Sequence, residues 1–273
     1  MAFPPPPSRL EDWLRTARAS AARAADVHRR WAGRIDVRAA DSKGFADFVS
    51  RVDREAQEAA LAEIRARHPD HLVLAEEDGA DRTRLPDDDT PLWVVDPLDG
   101  TTNYLHGHPA HAASVAVTVA GAPVAACVHA PATSEVWWAR AGGGAWRNGR
   151  RIGVSHPRGW EQSLVATGFM FKGEADLGAF TRQMAALKRA GSGIRRGGAA
   201  ALDLCYVADG RFEAFWEHFL NPWDYAAGWL VVQEAGGATG RMEGGPLGLA
   251  EGSVMAANDA ATLDGLRTLL AEA

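Results

Sequence analysis

The stretch Trp93-Val94-Val95-Asp96-Pro97-Leu98-Asp99-Gly100-Thr101-Thr102-Asn103-Tyr104 constrains this chain more than any other. Trp93 to Val95 is a short apolar run between Pro91 and Pro97, the pattern of a buried strand end. Asp96 and Asp99 straddle a stiff Pro-Leu step. Asp99-Gly-Thr-Thr reads as a helix start with the aspartate as its cap. Carboxylates hold divalent cations and helix N-termini hold phosphate, so their juxtaposition points to metal-assisted phosphate chemistry. Asp-Pro-Leu-Asp-Gly is also ordinary turn chemistry, and the rest of the chain has to decide between the two.

Acid is concentrated around this stretch. Nine acidic residues lie between Glu76 and Asp99, against Arg82 and Arg84. A solvated loop explains some of them, but not the carboxylates that border apolar strands at both ends. The net charge of -6 argues against a nucleic-acid platform. No apolar run reaches membrane-span length, and Met-Ala-Phe-Pro-Pro-Pro-Pro has neither the basic nor the apolar region of a secretory signal. Cys127 and Cys205 lack metal or redox spacing and read as buried reduced thiols, so a cytoplasmic location is expected. At 273 residues, 47% of them hydrophobic, one large domain with a sizeable core is expected over 1–273. It would comprise an N-terminal α+β half over about 8–155 and a C-terminal α/β half over about 160–273.

In chain order, Ser8 caps a helix to about Trp31 that stops at Gly33. A loop from Asp41 to Phe48 carries Lys43, either a surface lysine or a neighbour of an acidic site. A second helix runs from about Val49 to Arg67, then a strand from His71 to Ala75 ends in Glu76-Glu77. Gly79 to Thr90 looks like a mobile connection. From Ala112 to Val154 the chain reads as a β meander, with hairpins at the triple glycine 142–144 and at Asn148-Gly149. Ser163 to Thr167 is a strand, Glu174 to Ala190 a helix, and Ala199 to Val207 another. Arg211 to Phe215 is a strand that delivers Glu217. Pro222 opens a helix with Asp224 in its first turn, closed by Gly236-Gly237. A last strand, Ser253 to Ala257, and a last helix, Ala260 to Leu270, follow. This order suggests stacked layers of both kinds.

Three segments thus offer carboxylates at element ends: Glu76-Glu77, Asp96/Asp99 and Asp224. At about 4 Å and an effective dielectric near 20, each like-charge pair costs about 4 kcal/mol. The cluster therefore calls for bound cations or protonated members, and all-oxygen ligands favour magnesium. His106, His108 and His111 are read as loop and strand-edge polarity, because magnesium does not favour imidazole.

Asp96-Pro-Leu-Asp-Gly-Thr-Thr-Asn-Tyr-Leu-His-Gly resembles the first signature of the inositol monophosphatase family. Trp223-Asp-Tyr-Ala-Ala-Gly-Trp-Leu-Val-Val-Gln-Glu-Ala-Gly-Gly resembles the second, and Glu76-Glu77 sits where the family's glutamate pair sits. Order and spacing agree from about Leu10 to the C-terminus. The resemblance implies a layered αβαβα sandwich, a homodimer, and lithium-sensitive hydrolysis of a small phosphomonoester with two or three Mg2+ ions. It implies Glu76, Asp96 and the Leu98 carbonyl as ligands of one ion, and Asp96, Asp99 and Asp224 as ligands of a second. Glu76 with Thr101 would orient the attacking water, Asp96 would bridge the ions, and Glu77 would support. The Gly100 and Thr101 amides would cradle phosphate. Glu217 and the Ala200 backbone, beside Asp99 and Asp224, would meet the hydroxylated ring.

Some positions depart from the family pattern: Ala75 for a frequent glycine, Asp78 for a small hydroxyl residue, and Ala199 for a hydroxyl residue at the ring site. Inositol 1-phosphate is the first expectation for substrate. Histidinol phosphate, fructose 1,6-bisphosphate or a phosphoadenosine nucleotide are alternatives. So is a regulatory binding protein, since some bacterial relatives bind the transcription machinery. Membrane and direct nucleic-acid partners are not expected.

Overall fold

A computed structural model describes residues 5–35, 41–44, 47–78, 85–86, 88–156, 159–169, 177–250 and 252–273. Helix α1 (Pro7–Trp31) starts at the end of the proline run, with Pro6 as its N-cap and no side-chain cap, so Ser8 is its second residue and not its cap. Proline preset to helical φ opens a helix without needing a donor. The segment expected as a loop instead pairs as a hairpin of β1 (Asp41–Gly44) and β2 (Asp47–Val49). Its strands, Asp-Ser-Lys-Gly and Asp-Phe-Val, are too short to show the alternation that announces a strand. The Lys43 side chain lies outside the described part. Helix α2 (Arg51–Arg67) begins two residues later than expected, because Ser50 and Asp53 cap it reciprocally.

Strand β3 (Leu72–Ala75) pairs in parallel with β4 (Leu92–Asp99). Most of the connection between them lies outside the described residues. After the five-residue helix α3 (Thr101–Leu105), the meander runs through β5 (Ala112–Val119), β6 (Ala122–Ala130), β7 (Glu135–Arg140), β8 (Ala145–Arg147) and β9 (Arg150–Arg151). Both expected hairpins form, the second on Asn148 and Gly149 at positive φ. These strands make a seven-stranded sheet in the order β3-β4-β5-β6-β7-β8-β9.

The second half supplies β10 (Leu164–Thr167), α4 (Leu177–Ala190), β11 (Gly193–Arg195), α5 (Ala200–Ala208), β12 (Ala214–His218), α6 (Pro222–Glu234), β13 (Ala238–Gly240), β14 (Ser253–Ala257) and α7 (Ala260–Ala271). Its sheet has the order β11-β10-β12-β14-β13. Strand β12 lies three residues later than the expected Arg211–Phe215, so Glu217 is inside the strand and not beyond it. The short strands β11 and β13 carry too little pattern to be read from sequence.

Three apolar clusters bind five layers. Leu10, Trp13, Val52 and Ile64 of α1 and α2 pack on Trp93, Val95 and Val115, one face of the large sheet. Val94, Ala116, Ala126 and Trp137 on its other face meet α5 and α6, which also cover Phe215, Val254 and Ala256 of the small sheet. The far face of that sheet, with Val165, Trp216 and Met255, packs on Phe180 and Leu187 of α4 and on Leu263 and Leu266 of α7. The αβαβα order expected from the sequence is the one observed. Helix α6 is buried almost all round because it lies between two sheets. Cys127 and Cys205 are buried free thiols. No helix among the described residues is long and apolar enough to cross a membrane.

Candidate active site

All eight residues of β4 are buried. Even-numbered Leu92 and Val94 face α5 and α6, and odd-numbered Trp93 and Val95 face α1 and α2. Side chains alternate along a strand, so Asp96 and Asp99 would face opposite ways in regular pairing. They do not, because the register with β5 slips by one residue: Asp96 opposes Ser114 and Asp99 opposes Ala112. The extra residue, in the Pro97-Leu98 step, is a β-bulge. It turns Asp99 to the side of Asp96, where Asp99 Oδ2 accepts a 2.9 Å bond from the Ala201 amide at the start of α5. The Leu98 amide donates to Asp96 Oδ1 at 2.9 Å and holds the bulge closed.

Neighbouring elements bring the other acids. Parallel pairing of Ala75 with Val95 sets Glu76 beside Asp96. Asp224 sits in the first turn of α6, where its Oδ2 accepts from the Asn221 amide at 2.6 Å. A cavity of about 250 Å3 opens here, lined by Glu76, Asp99, Gly100, Thr101, Ala200, Glu217 and Asp224, with Asn103, Arg196, Phe169 and Phe219 among its other walls. Of the residues singled out in the sequence, Asp96 and Leu98 do not line it. Both are buried behind its wall, at 2% and 1% exposure.

Gly100, and not Asp99, caps α3, so the expected aspartate cap is corrected: Gly100 has φ +86 and α3 has no side-chain cap. Any Cβ there would lie 2.7 Å from the Ala110 carbonyl. Asn103 ties the same turn across the cavity, its Nδ2 donating to the Ala110 and Gly197 carbonyls at 2.7 and 2.9 Å. Opposite, a Cβ on Gly168 would collide with the Glu217 carboxyl, so the glycine leaves that side chain its room.

The site is electrostatically loaded. Burial, then the charges of Glu76, Asp99 and Asp224, hold the Asp96 carboxyl well above the ordinary carboxylate range. Burial and Asp224 do the same for Asp99, against the Ala201 amide. Glu217 is raised by burial, then by Asp203 and Asp224, with Arg196 opposing. Among the described residues no three His, Cys, Asp or Glu side chains already converge as a metal-holding group. The donor set of Glu76, Asp96, the Leu98 carbonyl, Asp99 and Asp224 nevertheless fits a hard divalent cation: it is all oxygen, it is anchored on three separate elements, and its carboxylates destabilise one another's charge. A carboxylate has about four lone-pair sites, so one amide bond does not exhaust Asp96 or Asp99.

Several site residues escaped the sequence reading. Asp53 is buried, and its Oδ1 accepts from the Thr101 hydroxyl at 2.8 Å while its Oδ2 accepts from the Ser50 hydroxyl at 2.6 Å. Burial raises its carboxyl and the Ser50 and Thr101 bonds oppose that rise. The signal was present as Ser50-x-x-Asp53, a capping pattern. Gln57 accepts from the Glu77 amide at 2.9 Å and donates to Asp78 at 2.7 Å, fixing the turn that carries Glu76. Arg196, Phe169 and Phe219 carry no motif. His106 and His108 are exposed, but His111 is buried against Tyr104, 4.9 Å between ring centroids, and is no strand-edge polar group.

The inositol monophosphatase family model matches residues 9–273. The chain belongs to the inositol monophosphatase family. It is 42% identical over 217 residues to the inositol-1-monophosphatase of Mesorhizobium japonicum, covering 80% of each chain. It is 40% identical over 251 residues to the Nus factor SuhB of Pseudomonas aeruginosa, covering 91% of this chain and 92% of the relative. The fold resembles the crystal structure of extragenic suppressor protein suhB from Bartonella henselae with a TM-score of 0.85 at 36% identity, over 94% of this chain and 97% of that one. Members of the family are generally metal-dependent.

Proposed function

We propose that this protein hydrolyses a small polyol phosphate, with inositol 1-phosphate the first candidate, at the cavity between the two sheets. The observation that carries this reading is the gathering of Glu76, Asp99, Asp224 and Glu217 around one cavity with the Thr101 hydroxyl held by buried Asp53. Glu76, Asp96, the Leu98 carbonyl, Asp99 and Asp224 would hold two or three magnesium ions, which lower the pKa of a bound water and offset the charge on the transferring phosphoryl group. The Thr101 proton is committed to Asp53 at 2.8 Å, with the Leu98 carbonyl at 3.1 Å. Its oxygen lone pairs therefore face the cavity as acceptors, able to orient an attacking water with Glu76 as the base. Gly100 and Thr101 take the phosphate end. Glu217 and the Ala200 backbone, across the cavity, take the substrate hydroxyls. A homodimer is part of the same reading.

Two variants and a panel of phosphomonoesters test it. Phosphate release with magnesium should be fastest from inositol 1-phosphate. Asp96→Asn should abolish it, and a variant that keeps more than a few per cent of the wild-type rate sinks the two-metal assignment. A lost charge-assisted hydrogen bond costs about 1.5–3 kcal/mol, so Glu217→Ala should lower kcat/KM for inositol 1-phosphate by about one to two decades. It should leave p-nitrophenyl phosphate nearly unchanged. Equal losses on both would put Glu217 in the metal shell.

A second reading is favoured by the relative named Nus factor SuhB, similar along nearly its whole length. In that reading the fold serves as a binding protein and turnover is incidental. Capture of the same partners by wild type and Asp96→Asn, with no turnover by wild type on the panel, would favour it.

A further inference from the structure

Two phenyl rings stand where the cavity meets solvent. Phe169 and Phe219 are 42% and 54% exposed, among the few large apolar side chains so placed in the described residues, and both line the cavity that holds Glu76, Glu217 and Asp224. Phe169 is pinned: the Arg196 guanidinium lies 4.8 Å from its ring centre, and the Phe180 ring 5.0 Å away. Phe219 is placed by its backbone, at φ +60, a left-handed conformation that a bulky residue rarely adopts. Pairing of His218 with Ser253 on one side and a 2.9 Å bond from the Leu220 amide to the Gly252 carbonyl on the other hold the strain in place. Glycine would suit that φ without cost. A phenylalanine held there, two residues beyond Glu217, exposes a ring to water at a conformational penalty. Strain of this kind persists where the surroundings over-determine it, and it gathers at ligand sites.

The charged and polar groups account for the deep end of the cavity. Glu76, Asp99 and Asp224 face a phosphate with its cations, and Glu217 faces hydroxyls. None of these recognises an apolar group, and the phenyl rim satisfies none of them. From this division we propose that Phe169 and Phe219 form an aromatic rim that binds a planar ring on the leaving group. Among phosphomonoesters without ring hydroxyls for Glu217, those of alcohols that carry an aromatic or heteroaromatic ring two or more atoms beyond the ester oxygen are then preferred over their ringless counterparts. This deepens the phosphatase reading above and rests on it.

The test compares ethyl phosphate with 2-phenylethyl phosphate, which differ by the ring alone, and adds 2-cyclohexylethyl phosphate as an apolar ring that is not planar. Aromatic contacts of this kind support about a tenfold preference. Wild type should turn over 2-phenylethyl phosphate with kcat/KM about tenfold above ethyl phosphate, with the cyclohexyl ester between. Phe219→Ala and Phe169→Leu should each erase most of that preference and leave ethyl phosphate unchanged. Phe219→Gly relieves the positive φ, so its melting temperature should match or exceed that of wild type while the ring preference is still lost. Equal losses on both esters, no ring preference in wild type, or a preference that survives both substitutions overturns the rim. Binding of 2-phenylethyl phosphate and ethyl phosphate by calorimetry separates the two readings. No turnover of any ester, with tighter binding of the phenyl ester that Phe219→Ala removes, refutes the phosphatase and keeps the rim. Turnover with no ring preference keeps the phosphatase and refutes the rim. No turnover and no preference in binding refutes both.

Discussion

At the residue scale, the pair Asp53 and Thr101 ties a helix cap to the chemistry. Asp53 closes the start of α2 through Ser50 and, with its other oxygen, fixes the proton of the Thr101 hydroxyl. Thr101→Val keeps the shape of the side chain and removes the hydroxyl. It is expected to lower kcat by about one to two decades with little change in KM, since hydrogen bonds to charged groups contribute about 1.5–3 kcal/mol. Asp53→Asn should cost a similar factor and, in addition, about 1 kcal/mol of stability through the weakened cap. The double variant should lose hardly more kcat than either single one, because the residues act as one unit. Steady-state kinetics of the four proteins checks this, and multiplicative losses would show that Asp53 acts on something other than Thr101.

At the element scale, the site depends on the join between β4 and α3. Gly100→Ala forces an L side chain to φ +86 and a Cβ against the Ala110 carbonyl, so a loss of about 1–2 kcal/mol from the left-handed backbone alone is expected, with more from the clash. Urea unfolding measures it, and an unchanged midpoint would mean that the turn relaxes freely. Much of this join was legible: Trp93 to Val95 as strand, the two aspartates at its end and a helix after them all appear in the letters. The bulge was not, because it is defined by pairing with β5, and pairing cannot be read from one strand. For the same reason the strand was drawn too short, and Asp99 was given the capping role that falls to Gly100. Glu217 lines the cavity, but from the sequence it is set beyond its strand, since Arg211 and Phe212 continue the apolar-polar pattern ahead of the residues that pair. The hairpin β1-β2, with strands of four and three residues, is too short to show such a pattern. Asp53 offers the sequence only the pattern Ser50-x-x-Asp53, which escaped the reading. Its second task, and the phenyl rim of Phe169 and Phe219, arise from chain segments that meet only in the fold.

At the scale of the whole molecule, buried acids make stability depend on pH and on cations together. Asp203 is the clearest case: burial pushes its carboxyl from 3.8 up to about 8, against the charge of Arg196. The folded state holds that proton better than the unfolded chain does. The resulting stability is complete below the unfolded value near 3.8 and is lost as pH rises through about 8. Asp96, Asp99 and Glu217 are raised and act in the same direction. Buried His28, His111 and His129 are lowered to about 3, 4 and 4 and act oppositely, but only below their ordinary value of 6.5. Chelator-treated protein should therefore lose stability from about pH 6.5 to about 8, and Asp203→Asn should flatten the curve in urea titrations across that range. The same charges give the most direct test of a cation site between the sheets, the melting temperature with and without millimolar magnesium at pH 7.5. A cation that binds only the folded cluster stabilises by mass action, about 2.7 kcal/mol at a hundred times its dissociation constant. Wild type is expected to gain several degrees and Asp96→Asn almost none, whereas equal shifts in both proteins, or no shift in wild type, would contradict the site.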